Sequence, residues 1–154
     1  MPTRSVSWVS AYGMARTVDH ISDGRLGLGL GAGFKEREYV EYGYEFDTPG
    51  SHIDDLARAL PRIEHRLARL APAPTRKIPV LIGGGGEKKM LRVVARHADI
   101  WHSFAGGEVL AHKTKVLEEH CAAVGRDPYA LGRATSMRLP AQRVPIAYIC
   151  SLTR

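Results

Sequence analysis

The chain has 154 residues, 44% of them hydrophobic and 25% charged, with a formal net charge of +6. That composition fits one soluble globular domain able to bury a core. No run of about 18 apolar residues occurs, which speaks against a membrane partner, and MPTRSVSWVS lacks the apolar core of a signal peptide, so the expected location is cytoplasmic.

In chain order, AYGMARTVDHIS (residues 11–22) places Ala11, Met14, Ala15, Val18 and Ile21 on one helical face, and Asp23-Gly24 supply a stop. RLGLGLGAG follows, with glycine at 27, 29, 31 and 33. A two-residue period predicts a buried strand whose Leu26, Leu28 and Leu30 form one apolar face while Gly27, Gly29 and Gly31 leave the other bare. Glycine weakens a strand, so the bare face suggests close approach of a ligand or of crowded side chains. A loop over 34–50 leads through Pro49-Gly50 to a helix with Ser51 as N-cap and Asp54 at the capping-box position. Its apolar residues Ile53, Leu56, Leu60, Ile63, Leu67 and Leu70 step by three and four, and Pro61 inside it is expected to kink it.

APAPTRK (71–77) reads as a short linker, IPVLI (78–82) as a buried strand running into four glycines, and 87–97 as a helix with Met90, Leu91, Val94 and Ala95 inward. Residues 99–104 form a third strand. Residues 108–124 form a further helix with Leu110, Val116, Leu117, Cys121 and Val124 inward, and Gly125 as its terminal glycine. Strand and helix alternate, which predicts an α/β fold with parallel strands and helical crossovers. RATSMRLPAQRVPIAYICSLTR shows neither a clear strand nor a helical period.

Cys121 and Cys150 form neither a metal-type pair nor a disulfide framework and read as packing residues. The seven histidines are scattered, so no metal site is expected. Lys and Arg spread through every helix instead of clustering, which argues for solvated faces and against nucleic acid, although an anionic ligand would benefit from the positive field.

Ligands of parallel α/β folds usually lie beyond the carboxyl ends of the strands. Three loops suit that role: Ala32 to Gly50, Gly83 to Gly86, and Ala105 to Gly107. Gly83, Gly84, Gly85 and Gly86 stand between a strand and a helix N-terminus, where backbone N–H groups and the helix dipole suit a phosphate, with Lys88 and Lys89 nearby. GLGLGA (27–32) fits the dinucleotide fingerprint only without its helix and its acid, and GGGGEKK lacks the G-K-[ST] of a P-loop. LGLGLGAG also resembles the loop of S-adenosylmethionine-dependent methyltransferases, yet Gly27 stands where that loop needs an acid. A nucleotide-type binding or methyl-transfer module is the alternative reading.

Segments 18–46 and 78–104 together resemble the luciferase-like monooxygenases, particularly members that use a deazaflavin. Asp19, Ser22, Gly24 and Arg25 match an aspartate followed by S-x-G-R. The glycine strand, the segment Pro79 to Gly86, and Ala98 to Trp101 match the patterns that follow. The resemblance runs from about residue 11 to Pro128. It implies a partial (β/α)8 barrel of about three βα units, an oxidoreductase activity on a small-molecule substrate, and FMN or coenzyme F-420 as cofactor. It places the cofactor ring near Gly33 and Phe34, and the phosphate near Gly83 to Gly86 with help from Ala105, Gly106 and Gly107. Some sugar-phosphate dehydrogenases of the family carry an acid where this chain has Phe34, which speaks against that substrate class. His102, Arg37 and Glu38 are weaker candidates for proton transfer or cofactor contact, and no catalytic residue is assigned.

A full barrel takes about 250 residues and eight strands. The expectation is therefore an internal fragment, inactive if the truncation is real, with residues 1–128 as a partial barrel domain and 129–154 as a divergent C-terminal tail. Open strand edges left by missing strands would favour a homodimer.

Overall fold

The computed structural model describes residues 5–138 and 148–153, with side chains from Tyr12 to Ser136. These residues form two compact units, divided between Pro79 and Val80.

In the first unit, α1 (Ser5–Ile21) packs against α3 (Pro49–Leu67). The buried face of α1 keeps Ala15 of the predicted face but not its larger residues. Ala15 and Asp19 are buried, whereas Met14, Val18 and Ile21 are 62%, 46% and 80% exposed, and the Ala11 side chain lies outside those described. The physical reason is polar: the Asp19 carboxylate accepts hydrogen bonds from the Thr75 amide and the Thr75 hydroxyl, both at 2.7 Å, and the helix turns that face inward to make them. Thr75 holds the Asp19 carboxyl below the usual carboxylate range, with Arg76 and His20 adding to the effect against the opposing pull of burial.

The helix stops where the sequence said, with Asp23 and Gly24 both at positive φ. Residues 71–77 are pinned instead of loose. Arg16 and His20 reach the carbonyls of Ala71 and Ala73, and Arg76 donates to the carbonyls of Gly24 and Leu26. The D…S-x-G-R part of the family pattern is therefore a structural clamp: Asp19, Ser22 and Arg25 bond to backbone or to Thr75 and fix the entry into the next strand.

That strand, β1 (Leu28–Leu30), is shorter and more open than predicted. Its leucines are half-buried and its flanking glycines exposed; a Cβ built on Gly27, Gly29 or Gly31 meets nothing within 4 Å. The predicted loop 34–50 contains a short helix, α2 (Glu36–Glu41). The N-cap of α3 is Thr48, not Ser51; its hydroxyl accepts from the Ser51 amide at 3.2 Å, and Pro49 takes the first turn, where its missing N–H costs no bond. The helix runs on through Pro61 to Leu67, burying Leu56, Leu60 and Ile63 as the period predicts.

In the second unit, β2 (Val80–Gly83), β3 (Ile100–Ser103) and β4 (Gly132–Arg138) are parallel neighbours, with α4 (Met90–His97) and α5 (Gly107–Ala123) packed on each other in the crossovers. A 3-10 turn, Pro128–Ala130, capped by Asp127, leads into β4. β5 (Tyr148–Thr153) pairs antiparallel with β4. No period marks a strand after residue 128 in the sequence. RATSMR has weak strand propensity, and pairing along the edge of β3 decides its conformation.

Side chains alternate across this sheet. On one face Ile82, Trp101 and Ser103 are buried and Arg133 bonds Glu118 on α5 at 2.9 Å, so this face lies under the helices. The opposite face carries Leu81, Gly83, Ile100, His102, Gly132, Ala134 and Ser136. Met90, Leu91, Val94 and Ala95 of α4 are buried as predicted. Of the predicted α5 face, Leu117 and Cys121 are fully buried while Val124 is 37% exposed, and burial pushes the Cys121 thiol pKa up. Among the described residues no helix is long and apolar enough to cross a membrane, and no cluster of His, Cys, Asp or Glu could hold a metal ion.

Candidate functional site

The loops after β2 and β3 leave from neighbouring carboxyl ends. Gly83 is in register with His102, and the Gly84 amide donates to the His102 carbonyl at 3.1 Å. Trp101, 1% exposed, donates its indole N–H to the Gly84 carbonyl at 2.7 Å and so holds the loop from beneath. Gly84 has φ +145, and an added Cβ would lie 2.8 Å from Met90 Cγ. This glycine is required by its backbone and its neighbour. Gly85 and Gly86 differ: their amides donate to no backbone carbonyl among the described residues, and the Gly86 carbonyl accepts from Leu91 as α4 begins. The helix opens at Met90, three residues later than predicted, after a turn over 87–89.

The cation least exposed at this loop comes from α5 and not from the lysines that follow the glycines. Lys88 and Lys89 are exposed. Lys113, on α5, reaches in instead: its ammonium lies 2.6 Å from the Gly85 carbonyl and 3.2 Å from Glu87 Oε1, with its side chain only 20% exposed. Glu87 also faces His112 at 3.4 Å, and its carbonyl is 2.8 Å from His120 Nε2. Lys113 first and His112 second hold the Glu87 carboxyl below its usual range. No local pattern marks Lys113, which stands 28 residues from Gly85; helix packing alone brings them together.

Ala105 and the glycines after it form the second loop of this unit. The Ala105 amide donates to Ser103 Oγ at 3.1 Å, and Thr135 on β4 donates to the Ser103 or Ala105 carbonyl, at 3.0 and 3.1 Å. A Cβ on Gly106 or Gly107 would meet nothing within 4 Å, and Gly107 has φ +56. His102 Nε2 is 2.9 Å from Ser136 Oγ, and the exposed Phe104 ring meets the imidazole edge-on at 4.7 Å.

In the first unit, Gly33 has φ +78 and packs against the Tyr39 hydroxyl, so no other residue fits there without strain. Its carbonyl is 3.2 Å from Nδ1 of His52, which is buried. The Asp47 amide donates to His52 Nε2 at 3.2 Å, so Nε2 is the acceptor and Nδ1 carries the proton that Gly33 receives. Tyr39 stacks on His52 at 5.1 Å and Phe46 closes on both rings edge-on. Phe34, next to Gly33, is 81% exposed. Sequence reasoning missed His52 because an aromatic cluster built from a loop and a helix has no period to betray it. Arg37 and Glu38 are engaged along α2, Arg37 with Glu41 at 2.7 Å and Glu38 with Lys35 at 2.9 Å.

The model of the luciferase-like monooxygenase family matches residues 1–143. The chain belongs to the luciferase-like monooxygenase family. An uncharacterized protein of Mycobacterium tuberculosis (strain H37Rv) is 27% identical over 125 residues, covering 72% of this chain and 44% of that protein. The pyrimidine monooxygenase RutA of Allorhizobium ampelinum is 26% identical over 114 residues, 62% of this chain and 31% of RutA. Among solved structures, the coenzyme F-420 dependent tetrahydromethanopterin reductase of Methanopyrus kandleri superposes with a TM-score of 0.64 at 18% identity, over 85% of this chain and 46% of that one. The fold is thus α/β and corresponds to part of a (β/α)8 barrel. The chain spans less than half the length of these relatives. Luciferase-like enzymes are oxidoreductases that act on small molecules, and the match sets the glycine strand in that family instead of in a methyl-transfer loop.

Proposed function

We propose that this chain is the cofactor-binding part of a flavin- or deazaflavin-dependent oxidoreductase, with FMN or coenzyme F-420 as the cofactor. The observation that carries this reading is the loop Gly83 to Gly86. It follows a parallel strand, offers amides without backbone acceptors, and has the Lys113 ammonium drawn in beside it. Backbone N–H groups and a partly buried cation form a donor set that fits a phosphate. Gly106 and Gly107 leave the neighbouring loop bare on the same side of the strands' ends. In this reading Gly83, Gly84, Gly85 and Gly86, with Ala105, Gly106 and Gly107, hold the cofactor's phosphate.

When bound, FMN would supply oxygen activation and coenzyme F-420 would supply hydride transfer. The chain's own residues position the group. Trp101 fixes the loop through the Gly84 carbonyl, Lys113 compensates phosphate charge, and Glu87 sets the direction of the Lys113 ammonium.

Thermal unfolding of the full chain with FMN, riboflavin, coenzyme F-420 and S-adenosylmethionine tests the proposal, because a ligand of the native state raises its stability by mass action. The expected result is an upward shift with FMN or coenzyme F-420. If FMN is the ligand it should act more strongly than riboflavin, which lacks the phosphate, and Lys113→Met should erase that difference. A midpoint moved by neither cofactor, or moved only by S-adenosylmethionine, would overturn it.

A further inference from the structure

His102 stands on the sheet face opposite the helices, between two strands that offer it only small side chains. Its lateral neighbours in register are Gly83, with no side chain, and Ala134, with only a methyl. A Cβ placed on Gly83 would lie 4.0 Å from His102 Nδ1, in ordinary contact, so glycine leaves that nitrogen without a side chain beside it from β2. The other ring nitrogen, Nε2, is engaged by Ser136 Oγ at 2.9 Å, and the Phe104 ring closes edge-on at 4.7 Å. Nδ1 makes no hydrogen bond to a described residue. An imidazole with one nitrogen tied down has a fixed plane and a directed second nitrogen, which is the arrangement by which a protein presents a histidine to a ligand.

We propose that His102 is a ligand-binding residue whose Nδ1 exchanges a hydrogen bond with an oxygen or nitrogen of the bound flavin-type cofactor, and that Ser136 is its positioning residue. The inference rests on the function proposed above and deepens it. It adds to the phosphate loop a second polar contact from the same sheet, one strand over and on the face opposite the helices. Ser136 stands in the segment where the sequence alone gave no strand. Only the pairing of β4 with β3 brings its hydroxyl to the imidazole.

The two nitrogens can be separated by substitution. Asparagine places its amide near the Nδ1 position and glutamine places its amide near Nε2, so His102→Asn keeps the ligand-facing group and His102→Gln keeps the bond to Ser136. Fluorescence titration of the full chain with FMN and with coenzyme F-420 is the readout, with circular dichroism to establish folding. The expected result is that His102→Asn binds the cofactor within about threefold of the unmodified chain, while His102→Gln loses roughly three- to tenfold, the worth of one hydrogen bond. Ser136→Ala, which keeps Nδ1 but frees the ring plane, should lose a smaller factor, within the same threefold as His102→Asn, and Ser136→Thr should restore it.

Equal binding by all variants, or retention by His102→Gln with loss in His102→Asn, would overturn the proposal. Should the His102 variants fail to fold, the imidazole resonances of the unmodified chain decide: a shift of the His102 ring signals on adding the cofactor supports the contact, and an unmoved ring excludes it. If the unmodified chain binds neither FMN nor coenzyme F-420, the function proposal fails and this inference with it. Cofactor binding that is indifferent to His102 removes this inference alone.

Discussion

Two glycine runs sit in this chain, one in each compact unit, and they use glycine for opposite reasons. Gly27, Gly29 and Gly31 have unremarkable backbone and empty surroundings, so glycine there is a matter of what is left out. Gly84 to Gly86 are crowded by Met90 and Lys113 and held by Trp101, and Gly84 sits at a φ that other residues rarely adopt. The first run keeps a face bare; the second lets the backbone itself become the binding surface. A glycine count makes the two look alike, and only the neighbours tell them apart.

The largest effect should come from Trp101→Ala. It empties a fully buried site and strips the Gly84 carbonyl of its donor, at a cost of about 3–5 kcal/mol, read as a fall in the urea midpoint of the second unit. An unchanged midpoint would mean that the loop does not depend on the strand beneath it. Next comes Gly84→Ala, where the strained φ and the contact with Met90 should cost about 1–3 kcal/mol.

Acid should act on the first unit through Asp19. Its folded pKa is depressed, so the stability it contributes is fully present above its unfolded pKa, about 3.9, and is lost as pH falls through the lower folded value. Asp19→Asn should flatten that acid limb in a pH series of thermal melts, and a limb of unchanged slope would reject the clamp. The smallest effect is expected for Gly29→Ala, within about 0.5 kcal/mol by chemical denaturation, since the new methyl meets nothing. If Gly29→Ala proved as costly as Gly84→Ala, the contrast between the two runs would collapse.

Periodicity carried the helices well where one face is apolar and the opposite face charged. Leu56, Leu60 and Ile63 of α3 and Leu91, Val94 and Ala95 of α4 are buried as their spacing says. It misled in α1, where Asp19 is buried against Thr75 while Met14, Val18 and Ile21 stay exposed. It also missed β4, whose residues become a strand through a neighbour and not through their own preference.

What the sequence determined by itself is local and repetitive. The alternation of strands and helices, the stops at Asp23-Gly24 and Gly125, the glycine loop after the strand and the likeness to a family all depend on residues close together in the chain. What only the tertiary structure decided is which distant side chain arrives at each loop. Lys113 meets Gly85 across 28 residues, Ser136 meets His102 across 34 and Thr75 meets Asp19 across 56. Such contacts follow from the packing of helices and the pairing of strands, and a single polar residue carries no period from which its partner could be read.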